Sequence, residues 1–312
     1  MNYFRTTAAI ALLSIIPFMS ACNSNSHDLA RMQYLQHHYS EAARNFKEAA
    51  SKGDVDSQFA LGTMYEEGKG LPQDYELAAH WYQLAQKNGS KQALVPLASL
   101  YLQGKGVKKS AATAALILMS AASFGDGRAS NNLGVMYLKG DGVEKDPKAA
   151  FQFFMDGAKT GFPQAEASVA QLYAEGLGTD KDLKSSIEWY TKAAKHGFPP
   201  AENNLATLYQ AGTGVEKDYA QALKWYSKAA EHSVPNAMHG LAELNFLGTG
   251  VPQNYAEAYK WAYIADQMGY KEGGKETATG ILNKSAAKLS ATQIDEAKKQ
   301  GDTWMTDHQK KG

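Results

Sequence analysis

An all-α solenoid of stacked antiparallel helix pairs is predicted by three features of this 312-residue sequence. Gly-x-Gly recurs at Gly68/Gly70, Gly104/Gly106, Gly140/Gly142, Gly176/Gly178, Gly212/Gly214 and Gly248/Gly250, each 36 residues after the last. A second glycine column, Gly53, Gly89, Gly125, Gly161 and Gly197, keeps that step through Ser233 to Gly269. Between the columns, apolar residues recur at the helical spacings of three and four. Two ungapped columns at one period mark repeated structural units, here 54–89, 90–125, 126–161, 162–197, 198–233 and 234–269.

Residues 1–21 stand outside the fold. Arg5 precedes an apolar stretch from Ala8 to Met19, too short to span a bilayer and suited to a secretory leader. It runs into Met19-Ser20-Ala21-Cys22, and Cys22 is the sole cysteine. This resembles a bacterial lipobox, in which the Cys becomes N-terminal and acylated. The other reading is an ordinary leader with an incidental Cys. Acylation at Cys22 would anchor the chain through several hydrocarbon chains, with residues 22–35 as lipidated Cys and tether. Asn23 after the Cys resembles lipoproteins sorted to the outer membrane, which implies a location facing the periplasm or displayed outside. A second, half unit is expected at 36–53, where Tyr39, Ala42-Ala43, Phe46 and Ala49-Ala50 precede Gly53.

Within each unit two helices are expected. The first carries Leu61-Gly62-Tyr65, Leu97-Ala98-Tyr101, Leu133-Gly134-Tyr137, Val169-Ala170-Tyr173 and Leu205-Ala206-Tyr209 on one face and ends at the Gly-x-Gly. The second starts at Asp74, Ser110, Asp146, Asp182, Asp218 or Asn254, side chains that accept from first-turn N–H groups. Its body repeats Ala78, Ala114, Ala150, Ser186, Ala222, Ala258 and the large column Trp81, Ile117, Phe153, Trp189, Trp225, Trp261, so small and large side chains interlock. Pro96 inside a first helix is expected to kink it. Asn245 stands where Tyr is expected, and Ser233 where Gly is. After 270, Ser290 and Gln293 form a capping-box signature for a last helix, and 270–312 read as capping helices and tail.

Ala201-Glu202-Asn203-Asn204-Leu205-Ala206, Tyr209, Gly212-Thr213-Gly214-Val215, Asp218, Ala222, Trp225-Tyr226 and Ala229-Ala230 resemble the Sel-1-like repeat, a relative of the tetratricopeptide repeat. The resemblance covers 54–269 and implies a right-handed superhelical solenoid whose first helices line a concave binding wall.

Chemistry beyond binding finds little footing. With 32 basic against 32 acidic side chains there is no global field to attract nucleic acid. One cysteine excludes a disulfide framework within the chain. The Gly-x-Gly loops follow helices, not strands, so they do not read as phosphate cradles. The eight histidines are scattered; His196 and His232 share a column but lie a repeat apart, too far to share a metal, and suit the negative end of a helix. No nucleophile elbow or metalloprotease run occurs. No catalytic residue, metal or cofactor is therefore expected. In the related fold, first-helix positions away from the Leu/Tyr face line the groove. Here these are Phe59, Val95, Asn131, Ala167, Asn203, His239 and Thr63, Ser99, Val135, Gln171, Thr207, Glu243. Asn131-Asn132 and Asn203-Asn204 can bracket a peptide backbone with donor and acceptor. The candidate site is Asn131, Asn132, Gln171, Asn203, Asn204, Thr207, His239 and Glu243, with hydrogen bonding to neighbouring helices as the other reading of the amides. The function expected is a non-enzymatic, monomeric, lipid-anchored scaffold for a protein or peptide partner. The resemblance also admits an immunity lipoprotein against a periplasm-delivered phospholipase, or a cell-wall or penicillin-binding hydrolase, for which the chain offers no nucleophile.

Overall fold

The computed structural model describes residues 26–270 and 277–309; Cys22 and the segment expected as a leader lie outside them. All regular structure among the described residues is helical, in sixteen helices. The chain divides into two compact units, residues 1–93 with 105–107, and 94–104 with 108–312.

Unit one contains α1 (Ser26–Leu35), α2 (Tyr39–Ser51), α3 (Val55–Glu67) and α4 (Tyr75–Lys87), each packed on the next. Its core is built from Ala30, Ala42, Phe46, Leu61 and Met64. Residues 26–35, expected within a tether, instead form α1. It completes a pair with α2, so the half unit expected at 36–53 is whole. The cause is apolar: Ala30 is fully buried, and Tyr34 packs on the same core. The pair escaped the 36-residue step because its turn is short, with His37 at φ 62° reversing the chain where the other pairs use glycine.

Unit two begins with α5 (Leu94–Gln103), α6 (Ala111–Ser123), α7 (Gly127–Lys139) and α8 (Pro147–Lys159). It continues through α9 (Pro163–Glu175), α10 (Leu183–Lys195), α11 (Pro199–Ala211) and α12 (Tyr219–Glu231). It closes with α13 (Pro235–Leu247), α14 (Tyr255–Gln267), α15 (Ala278–Ala286) and α16 (Ala291–Gln309). Consecutive helices from α5 to α15 pack on one another, and α16 returns onto α14. Pro96 does not kink its helix. That helix starts at Leu94, which puts Pro96 in the first turn, where a missing N–H breaks no helical bond.

The starts of the second helices are set by their caps. Asp146 Oδ1 accepts from Lys148 N at 2.9 Å and Ala149 N at 3.0 Å, and Asp74, Ser110, Asp182, Asp218 and Asn254 act likewise. Ser290 and Gln293 exchange their capping-box bonds at 2.9 and 3.3 Å. The two glycines of each loop have separate duties, as at 140 and 142. Gly140 ends α7 in the left-handed conformation, and its N–H bonds Met136 O at 2.8 Å. Gly142 lies against the carbonyl of Ala111 at the start of α6, where a Cβ would overlap it.

The side chains that fill the core come mainly from the position after the Trp81/Trp189 column: Tyr82, Leu118, Phe154, Tyr190 and Tyr226 are all buried, whereas Trp81, Phe153, Trp189 and Trp261 are only half-buried and, of that column, Ile117 and Trp225 alone are buried as well. Tyr82 and Phe154 sit over the small first-helix column; Phe154 lies against Gly134, where a Cβ would come 2.7 Å from its ring, and Tyr82 lies against Gly62 in the same way. The larger Trp instead covers the seam between helices, and lysines lie over its face, as Lys192 Nζ does 3.6 Å from the Trp189 centroid.

One pair of columns matches its chemistry from repeat to repeat. The residue in the first turn of a first helix meets the C-cap of the following helix. Asn88 donates to Gln58 at 2.9 Å in unit one, and His196 Nδ1 meets Glu166 Oε2 at 2.8 Å in unit two. Glu202 and His232 hold the same two columns without that hydrogen bond: Glu202 Oε2 is buried with no hydrogen-bond partner, and burial raises its carboxyl above the usual range while the charges of His232 and Lys228 oppose the rise. His196 therefore serves as the partner of a buried acid as well as a helix end.

Candidate binding surface

The predicted site residues fall on α7, α9, α11 and α13 of unit two. Those of α11 and α13 are linked through a residue on neither helix. The Tyr226 hydroxyl of α12 donates to Gln210 Oε1 at 2.7 Å and lies 3.1 Å from Thr207 Oγ1. Gln210 Nε2 in turn donates to Glu243 Oε2 on α13 at 2.8 Å. Thr207 Oγ1 also donates to the Asn203 carbonyl at 3.1 Å. Burial, with Glu243 nearby, pushes the Tyr226 hydroxyl up to about 12, so it stays a neutral donor at physiological pH. The same arrangement stands in unit one, where Tyr82 donates to Glu66 at 2.7 Å and Thr63 lies 3.2 Å away. Tyr82 and Tyr226 stand at identical offsets from these partners, so the motif belongs to the repeat.

The other predicted residues are more loosely held. Asn203 Nδ2 points to Asn204 Oδ1 at 3.5 Å, and Asn203 Oδ1 is shielded from solvent with no hydrogen-bond partner. Asn204 is exposed and hydrogen-bonds the Tyr190 hydroxyl, which burial raises. Ser168 donates to Asn131 Oδ1 at 3.5 Å, while Asn131 and Asn132 are both half-buried. Gln171 is exposed and pairs within its own helix with Glu175 at 2.8 Å. His239 stacks on Tyr270, with ring centroids 4.5 Å apart. Thr207 and Glu243, expected on the wall, also hydrogen-bond within the fold: a buried tyrosine hydroxyl needs partners, and Thr207 and Gln210 meet it while Glu243 accepts from Gln210. Sequence reasoning missed Tyr226 and Gln210; the Trp-Tyr pair carried the signal, since its second ring holds a hydroxyl that burial must satisfy. Among the described residues no group of three or more His, Cys, Asp or Glu is placed to hold a metal ion.

The Sel1 repeat description matches residues 55–90, 92–123, 127–154, 163–198, 199–234 and 235–270, most of the chain. The chain belongs to the Sel1 repeat family. Among solved structures it is similar to a Sel1 repeat protein from Oxalobacter formigenes, with 29% identity, a TM-score of 0.72, and coverage of 77% of this chain and 98% of that one. It also resembles a protective antigen of uropathogenic Escherichia coli with the same repeat fold, at 22% identity and TM-score 0.51, covering 91% and 84%. No curated protein sequence matches it. Its Sel1 repeats form a scaffold of the kind suited to protein–protein interaction.

Proposed function

We propose that this Sel1 repeat protein is a non-enzymatic scaffold, anchored by acylated Cys22 to the outer membrane and facing the periplasm. It binds a protein or peptide partner through the first helices of unit two. The observation that carries the reading is the run of amide and hydroxyl groups from Asn203 and Asn204 through Thr207, Tyr226 and Gln210, ending at the Glu243 carboxylate. Such groups offer donors and acceptors together, as an extended backbone requires. Asn204 is exposed, so its amide is open to a partner's backbone. Buried Tyr226 holds Gln210 in place, so the wall is organised before binding and loses little entropy on contact.

The test is affinity capture from membranes of the full chain beside an Asn131→Ala, Asn203→Ala, His239→Ala variant. The purified partner is then titrated against both. A partner whose affinity falls at least tenfold in the variant supports the wall; equal affinities would remove it. Recovery of a secreted phospholipase would identify the scaffold as an immunity lipoprotein.

A further inference from the structure

Helix α6 breaks the charge pattern of the repeat. None of its residues from Ala111 to Ser123 is charged. Its outer stripe is Ala112, Leu116, Met119 and Ser123. Leu116 is 68% exposed, more than any other large apolar side chain among the described residues; Ala112 and Ser123 are exposed and Met119 is half-buried. Phe124 at the C-cap, 55% exposed, prolongs the face. At the same four positions α8 carries Lys148 and Lys159, and α10 carries Lys184, Glu188 and Lys195. The second helices α2, α4, α12 and α14 each place at least one charge there as well.

We infer that α6 is a self-association surface, through which two copies of this chain meet with their α6 helices antiparallel about a two-fold axis. The stripe advances by four, three and four residues, the spacing of a coiled-coil seam. An axis through the middle of the helix sets Leu116 against the partner's Met119, and Ala112 against the partner's Ser123. Bulky side chains then fill the centre of the seam, and small ones let the helix ends approach. A two-fold contact also brings a face against its own charges. The same pairing would oppose Lys148 to the partner's Lys159 in α8, and Lys184 to the partner's Lys195 in α10, and like charges repel. Among the described second helices, α6 alone meets its copy with no charge in the seam. Charges around a face steer and select a foreign protein; this stripe has none to offer one. The size of the face sets the strength. A helix of 13 residues is about 20 Å long and about 10 Å across, small beside the roughly 1,200–2,000 Å² that a stable complex buries. The dimer is therefore weak and reversible, in place of the monomer expected from the sequence. Because α6 is a second helix, pairing leaves the first-helix wall to its own partner.

The experiment places the photo-crosslinker p-benzoylphenylalanine at position 119 of the full chain in intact cells, with position 152 on α8 as reference. A product of twice the chain's mass from 119 and none from 152 is expected, and its crosslinked peptide should join position 119 to α6 of the second copy. Leu116→Lys and Leu116→Glu should each reduce that product at least tenfold without lowering the melting temperature, since Lys224 and Glu188 occupy the same column in α12 and α10. Sedimentation of the purified chain should show a concentration-dependent dimer that both variants lose. A monomer at every concentration with no crosslinked pair overturns the inference. So does a dimer that both folded variants retain, which places the contact elsewhere. Capture of a different protein from position 119 overturns it too, because the face then belongs to that protein.

Discussion

Gly142 and Gly161 both hold positive φ, 74° and 79°, for different reasons. A Cβ at Gly161 meets nothing within 4 Å, so Gly161→Ala should cost only the left-handed conformation, about 1 kcal/mol. At Gly142 the Cβ would overlap the Ala111 carbonyl, and Gly142→Ala should cost about 3 kcal/mol or more in urea unfolding. Equal losses would show that the close approach is not real. Ser233 occupies the Gly161 column at φ 59°, and Ser233→Gly should stabilise by up to about 1 kcal/mol, less what glycine adds to the unfolded state. Glu202 makes a pH prediction. Its carboxyl is raised by burial, so its effect on stability is most favourable while it is protonated and worsens as pH rises through its folded pKa. Glu202→Gln should flatten the fall in stability as pH rises above the ordinary carboxylate range, and Gln58 in the same column shows that the amide fits. An unchanged pH slope would contradict the burial argument.

At the scale of the element, the helix starts follow from local chemistry and the ring columns from packing. Asp146→Ala removes the acceptor of two first-turn N–H groups and should cost about 1 kcal/mol. Phe154 is 1% exposed against Gly134 and Ala158, so Phe154→Ala should cost roughly 3–5 kcal/mol. Tyr137, half-buried and stacked on Phe153 at 5.2 Å, should cost less when cut to Ala. Thermal melts of the two variants side by side test that order; the reverse would return the core to the Tyr137 and Phe153 columns. The order was hidden in the sequence because both members of each Trp-Tyr or Phe-Phe pair repeat every 36 residues. Periodicity places both near the core and does not rank them.

At the scale of the whole molecule, the end of unit two depends on a closing helix. Ala297 of α16 is buried, Trp304 and Met305 pack on the core, and Tyr263 donates to Asp302 at 2.8 Å. A repeat array leaves its last apolar face open unless something covers it. Truncation after Leu289 should therefore lower the melting temperature and raise binding of a hydrophobic dye, by exposing Trp261 and Ile264. A truncated chain that melts like the full one would mean α16 closes nothing. The glycine columns, the capping acids and the Ser290/Gln293 box were legible because each acts within a few residues of its own backbone. The candidate wall was legible only in outline. The columns at Asn203 and Thr207 could be placed on first helices, but which of those groups remain open for a partner depends on Tyr226 reaching across from another helix.

The sequence by itself determined the helix pairs, their period and their caps, because these follow from φ preferences and first-turn hydrogen bonding. Tertiary structure alone decided that residues 26–35 fold as α1, that the second ring of each aromatic pair fills the core, and that Thr207 and Glu243 are tied to Tyr226 and Gln210. The reason is common to all three: each is settled by burial between helices whose residues are sixteen or more positions apart or off the repeat's register, where a one-dimensional period carries no information.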